Sequence, residues 1–176
     1  TVHFPIWHKE IEDIIVLKNN KGTEDNRVRK LDYSIQLSKL FYERFINDED
    51  ITLFSPHEVP ELYESWGTPE FDDLYLTAER KTSVSKKKVS AQTLFFDMLK
   101  ERAETGRIYI MNIDHCNTHS SFKDRIYMSN LCQEITLPTD PIQHIDGQGE
   151  IALCILSAIN VGKLSYLEDL ESLCDL

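Results

Sequence analysis

Residues 150–162 read EIALCILSAINVG, an apolar run opened by an acid and closed by a glycine. Such a run predicts a strand buried on both faces, because a strand with one wet face alternates polar and apolar residues. Strands of that kind belong to parallel sheets covered by crossover helices, so the fold class expected is α/β.

The segments upstream alternate in the same sense. DITLFSP (50–56) alternates and then meets Pro56, which predicts a short strand; RIYIMNID (107–114) predicts another, and SNLCQEITLP (129–138) a third, ended by Pro138. Residues 8–20 carry acids early, Lys18 and Lys21 late and Gly22 beyond, which are helix start and stop signals. Asp32 is the expected N-cap of a second helix whose apolar stripe is Leu37, Leu40, Phe41 and Phe45. A third helix is expected over 60–81, with Phe71, Leu74, Tyr75 and Ala78 on one face, and a fourth over 89–105, stopped by Gly106. Residues 82–88 read as a basic linker, and 115–128 and 139–149 as loops. LEDLESLCDL (167–176) predicts the start of a helix with Cys174 on its buried side. The opening TVHFPIWH reads as mid-strand, so residues 1–176 are expected to be one partial domain with both ends cut.

Composition narrows the function. Acidic residues outnumber basic ones 30 to 19, for a net charge of -11. That excludes a general nucleic-acid or anionic-membrane surface, which needs clustered Lys and Arg. No apolar stretch reaches the length of a membrane helix. The four cysteines are too few for a secreted disulfide scaffold, so a reducing cytoplasm is expected.

Chemistry concentrates in SNLCQE (129–134). On an extended strand, Asn130, Cys132 and Glu134 would share one face within about 7 Å of one another. An acid moves a proton, an amide fixes a hydroxyl, and a thiol serves as nucleophile, ligand or hydrogen-atom donor. Cys154 reads either as a small buried hydrophobe or as a thiol kept dry for redox work. His115, Cys116 and His119 lack the spacing of a structural zinc site, so no metal is expected there. Trp7 and Trp66 read as core aromatics.

HFPIWH (3–8), LKNN (17–20), DITLFSPHEVP (50–60), ERAETGRIYIMNIDHCNTH (101–119), SNLCQEITLPT (129–139) and GEIALCILSAINVG (149–162), in this order, resemble the large catalytic subunit of class I, aerobic ribonucleotide reductases. The resemblance implies part of a ten-stranded α/β barrel with a central finger loop. It implies that Cys132 becomes a thiyl radical and takes the 3′ hydrogen of a ribonucleoside diphosphate. Glu134 would accept the 3′-hydroxyl proton, Asn130 would hydrogen-bond the substrate hydroxyls, and Cys154 would be one of a redox pair that reduces the 2′ position as water departs. No cofactor is expected in this chain. The family's tyrosyl radical and di-iron centre belong to a small radical-generating subunit, thioredoxin or glutaredoxin is the reductant, and ATP and dNTP effectors bind outside this segment. Several of the family's parts lie beyond these residues: the second redox cysteine, the tyrosines of the radical path, the C-terminal cysteine pair and most of the diphosphate loop. The loop between Asn117 and Met128 is also shorter than the bacterial pattern. The chain is therefore expected to need the remaining segments of the large subunit for activity; the alternative is an inactive piece that serves only in assembly.

Overall fold

The computed structural model describes residues 1–140, 142, 144, 147, 149–153 and 155–175. Along the chain, β1 (Val2–Pro5) leads to α1 (Ile11–Ile15), β2 (Tyr33–Leu37) to α2 (Lys39–Ile46), and β3 (Asp50–Phe54) to α3 (Pro60–Glu64) and α4 (Phe71–Arg80). Then β4 (Lys86–Ser90) precedes α5 (Ala91–Thr105), β5 (Ile108–Asn112) precedes α6 (Ile113–Thr118), and β6 (Met128–Ser129) and β7 (Thr136–Leu137) precede α7 (Asp169–Cys174).

The fold is α/β. Its centre is a parallel sheet in the order β1-β2-β5. The register pairs Phe4 with Ile35 and Ile35 with Ile110, and it pairs His3 with Ser34 and Gln36 with Met111. Since neighbours in register project to the same side, the sheet has two unlike faces. Phe4, Tyr33, Ile35, Leu37 and Ile108 form the apolar face, where the Tyr33 hydroxyl donates to the Ile15 carbonyl of α1 at 2.7 Å. His3, Ser34, Gln36 and Met111 project from the other face, which meets the β6–β7 hairpin.

The long helix α5 follows the sequence closely. The Ser90 hydroxyl accepts the Thr93 N–H at 3.2 Å, and Gly106 ends the helix in the left-handed region at φ 66°. Its buried residues Ala91, Leu94, Met98 and Glu101 recur at helical spacing along one face. Glu101 is buried because both of its oxygens accept from the Asn19 amide, at 2.6 and 2.7 Å. A second polar knot joins α2, β3 and α4. Arg44 donates to both Glu79 oxygens at 2.7 and 2.6 Å, Thr52 Oγ1 donates to Glu79 at 2.5 Å, and the Tyr75 hydroxyl donates to the Thr52 carbonyl at 2.6 Å. Burial works to raise the Glu79 pKa, but the hydrogen bonds from Arg44 and Thr52 outweigh it and hold the carboxyl below its usual range.

Several expectations are corrected. Asp32 does not cap a helix: it accepts from the buried Lys18 ammonium at 2.7 Å, and the next residues form β2. The helix starts later, at Lys39, where Ser38 caps by accepting the Phe41 N–H. The helix expected over 8–20 is confined to α1, and its late lysine, Lys18, turns inward to Asp32. The helix expected over 60–81 divides into α3 and α4, because Gly67 turns left-handed at φ 80° and Pro69 follows. The basic stretch is not all linker: Lys86, Lys87 and Lys88 pair antiparallel with β3 as part of β4, since backbone pairing to an open strand edge does not depend on the lysine heads; Lys86 Nζ donates to the Lys81 carbonyl at 2.7 Å, and Lys87 pairs with Glu12. The HCNTH segment is helical, in α6. The run that set the fold class, 150–162, forms no strand among its described residues, and Ile151, Leu153 and Leu156 are 75%, 81% and 83% exposed. An apolar run becomes a buried strand only where other strands offer it backbone partners, and none of the described strands pairs with it. Cys174 is likewise exposed, on a helix with no buried residue.

Gly67 also lies against the site. A Cβ there would come within 2.7 Å of Ile113 Cγ1 and 2.8 Å of Asn117 Nδ2, both on α6. Gly67→Ala combines left-handed strain with that overlap. It is expected to cost about 2 kcal/mol, a fall in Tm of roughly 4–8 °C for a chain of this size, measured by thermal unfolding.

Candidate active site

Asn130 to Ile135 do not continue as a strand. They close the short antiparallel hairpin of β6 and β7, in which Met128 pairs with Leu137 and Ser129 with Thr136. The turn is built by Asn130. Its N–H donates to the Ile135 carbonyl at 3.1 Å, its carbonyl accepts the Gln133 N–H at 3.2 Å, and its side-chain Oδ1 accepts the Ile135 N–H at 3.1 Å. Asn side chains commonly mimic a turn in this way. Gln133 sits in the left-handed region at φ 65°. The alternation of faces expected for 130–134 therefore fails: Asn130 is buried, while Cys132 and Glu134 are exposed at the tip. The reason is local. A reversal of chain direction within six residues needs a brace and a positive φ, and both lie inside the stretch read as extended.

The hairpin is held on the polar face of the sheet. Gln36 Nε2 donates to the Tyr127 carbonyl at 2.8 Å, and the Gln36 Oε1 accepts from Trp66 Nε1 at 2.8 Å. The Ser129 N–H lies 3.2 Å from His3 Nε2. From the tip, Gln133 Nε2 reaches back to the Ile110 carbonyl of β5 at 2.8 Å, and Thr1 Oγ1 donates to the Leu131 carbonyl at 2.5 Å. None of His3, Gln36 and Gln133 stood out in the sequence as a site residue. The available signal was the alternation in YSIQL (33–37), which sets Ser34 and Gln36 on the side opposite Tyr33, Ile35 and Leu37.

A cleft of about 550 Å³ opens at the carboxyl end of β5, between α6 and the hairpin, and is lined by Asn112, His115, Cys116, His119, Ser129 and Gln133 among others. Carboxyl ends of parallel strands are the usual place for ligands in α/β sheets. Asp114 fixes α6 at this end by accepting the Lys39 N–H of α2 at 2.5 Å, and the Tyr42 hydroxyl donates to Asn112 at 2.7 Å. Burial, and then the charge of Asp114, pushes the Cys116 thiol above its ordinary range. The His115 and His119 rings meet edge to face at 5.7 Å. Among the described residues, no group of three or more His, Cys, Asp or Glu side chains is placed to hold a metal ion, and no helix is long and apolar enough to cross a membrane. Cys154, expected as a redox thiol, lies outside the described residues.

Comparison with known proteins gives a consistent result. The family model described as the ribonucleotide reductase barrel domain matches residues 1–175. The ribonucleoside-diphosphate reductase subunit alpha of Haemophilus influenzae is 53% identical over 174 residues, which are 96% of this chain and 23% of that protein. Subunit alpha of the Escherichia coli enzyme 1 is 52% identical over 147 residues, 81% of this chain and 19% of that protein. The subunit alpha of Enterobacteria phage T4 is 46% identical over 172 residues, 94% of this chain and 22% of that protein. The chain thus spans about a quarter of the length of these relatives or less.

Two partly buried histidines, His3 and His8, set an acid limit on stability. Burial lowers the pKa of His3, with the N-terminal charge adding to it and the Ser129 backbone contact opposing it. Burial also lowers that of His8, against the pull of Glu10. The folded chain then binds fewer protons than the unfolded chain below the ordinary value of 6.5. This contribution is complete above that value and is lost as pH falls through it toward the lowered folded pKa. Urea midpoints measured from pH 7.5 to 5.5 are expected to decline, and a His3→Gln variant should show a shallower decline.

Proposed function

The chain belongs to the barrel-domain family of ribonucleotide reductases, and from that footing we propose that it is part of the catalytic subunit of a ribonucleoside-diphosphate reductase, with Cys132 as the radical thiol. The observation that carries the reading is the setting of Cys132, at the tip of a short hairpin tied to parallel strands of an α/β sheet. In this reading β1, β2 and β5 are strands of the ten-stranded barrel and the hairpin is its central finger loop. A sulfur radical at Cys132 takes the 3′ hydrogen atom of a ribonucleoside diphosphate, which leaves an S–H bond and a ribose radical. Glu134 accepts the 3′-hydroxyl proton. The 2′-hydroxyl leaves as water with a proton from a cysteine pair, one member of which is Cys154; the pair supplies two electrons and two protons in all as it closes to a disulfide, and Cys132 returns the hydrogen atom to C3′, which restores the sulfur radical. Asn130 combines two tasks, bracing the turn and contacting the ribose hydroxyls.

The partners follow from the same reading. A small subunit with a tyrosyl radical and a di-iron centre generates the radical, and thioredoxin or glutaredoxin reduces the spent cysteine pair. The chain itself supplies the thiol, the acid and the frame that holds them. A radical thiol requires exclusion of water, so the exposed tip must be covered by the other segments of the large subunit. The exposed Ile151, Leu153, Ile155 and Leu156 favour the second reading as well, an assembly role, since an apolar patch of this kind marks an association surface.

One experiment separates the two. When the chain is combined with the segments that complete its relatives' length and with the small subunit, deoxyribonucleoside diphosphate is expected to form. Cys132→Ser should then reduce turnover by roughly four orders of magnitude or more while substrate still binds. Turnover retained in that variant ends the radical assignment. Tight association without any product supports the assembly role alone.

A further inference from the structure

We propose that His3 and Gln36 are positioning residues that clamp the thiol-bearing hairpin to the sheet and so determine where Cys132 is held. The inference rests on the reading of Cys132 as the reacting thiol, but its physical basis is separate. The hairpin is tied to each of the three parallel strands by one side-chain hydrogen bond. His3 of β1 meets the Ser129 N–H at 3.2 Å, Gln36 of β2 donates to the Tyr127 carbonyl at 2.8 Å, and the Ile110 carbonyl of β5 accepts from Gln133 at 2.8 Å. The first two contacts fall at positions 127 and 129, at the root of the hairpin, and the third falls beside the thiol.

The orientation of Gln36 is fixed rather than incidental. The amide is 3% exposed, and Trp66 Nε1, a donor only, occupies its oxygen side at 2.8 Å. A flipped amide would set N–H against N–H there and leave the Tyr127 carbonyl unmatched. The Gln36 nitrogen must therefore face the hairpin. In the clamp His3 takes the neutral tautomer with Nε2 unprotonated, which accepts the Ser129 N–H at 3.2 Å, the nearer of the two backbone groups; the Ser129 carbonyl lies at 3.4 Å, and Nδ1 is buried with no hydrogen-bond partner among the described residues. Cys132 lies three positions beyond Ser129, a path of at most about 10 Å. A shift at the root is therefore carried to the sulfur. Hydrogen-atom abstraction depends steeply on that placement, and a displacement of about 1 Å costs roughly a hundredfold in rate.

The test uses two polar variants of the full chain. In His3→Gln the side-chain oxygen reaches the position of imidazole Nε2. In His3→Asn the shorter side chain stops near the position of Nδ1. Hydrogen exchange of the Ser129 amide is expected to stay within about twofold of the parent in His3→Gln and to speed up about tenfold in His3→Asn, with the Met98 amide of α5 unchanged in both. In the reassembled enzyme, His3→Asn is expected to lower kcat by about a hundredfold with KM within about twofold, and His3→Gln to recover most of that loss. Equal Ser129 exchange in the two variants overturns the clamp. Faster exchange with kcat unchanged overturns its positioning role. Absence of turnover from the parent assembly, or turnover that survives Cys132→Ser, is instead a failure of the radical reading and leaves the exchange result to decide the clamp.

Discussion

A primary amide in the middle of a sheet sets much of this structure. Gln36 occupies the central strand of three, and burying such a group costs roughly 1–3 kcal/mol for each end left without a partner. Both ends are matched, by Trp66 on one side and by the Tyr127 carbonyl on the other. The first match fixes the segment after α3 against the sheet, and the second fixes the hairpin. Trp66 also packs edge to face on Trp7, at 6.0 Å between ring centres, and on Phe71, at 4.5 Å. One polar side chain thus links the aromatic core to the loop that carries the thiol.

The same arrangement explains the unlike faces of the sheet. On the apolar face Tyr33, Ile35 and Leu37 are fully buried, and each such side chain contributes about 2 kcal/mol through burial. The opposite face carries His3, Ser34 and Gln36, groups that would weaken a purely packed interior. Gln36 and the Nε2 of His3 are accommodated because this face meets backbone polar groups of the hairpin, whereas the Ser34 hydroxyl is buried with no hydrogen-bond partner among the described residues. Directional hydrogen bonds hold a loop in one place, which apolar packing does less well. That suits the proposed site, whose chemistry would depend on the placement of a single sulfur atom.

Legibility in the sequence varied with the range of the forces involved. The helix α5 was readable because its cap, its apolar spacing and its terminal glycine are all local. The strands β3 and β5 were readable for the same reason. β2 was read as the first turn of the second helix, because Asp32 offers a cap and Leu37 falls in helical spacing with Leu40 and Phe41, while the alternation of Ser34 and Gln36 with their neighbours is only a polarity difference. β4 was missed because lysines give no apolar signal, and its pairing with β3 is made through the backbone. The turn at 130–135 was read as extended because each residue there is compatible with a strand; the Asn130 brace and the left-handed Gln133 exist only once β6 and β7 have paired.

The sequence by itself determined the family, through motifs that read the same whether or not the chain is folded, and with it the α/β class. Asn130, Cys132, Glu134 and Cys154 are the set that the resemblance proposes for the chemistry. Only the tertiary structure decided that Cys132 rides on a hairpin and not on a strand, and that His3, Gln36 and Gln133 tie that hairpin to three different strands. It also decided that the apolar run at 150–162 does not pair with any of the described strands. The reason is physical: a hydrogen bond between residues 3 and 129, or 36 and 127, exists only after the chain has brought them together, and no local preference encodes it.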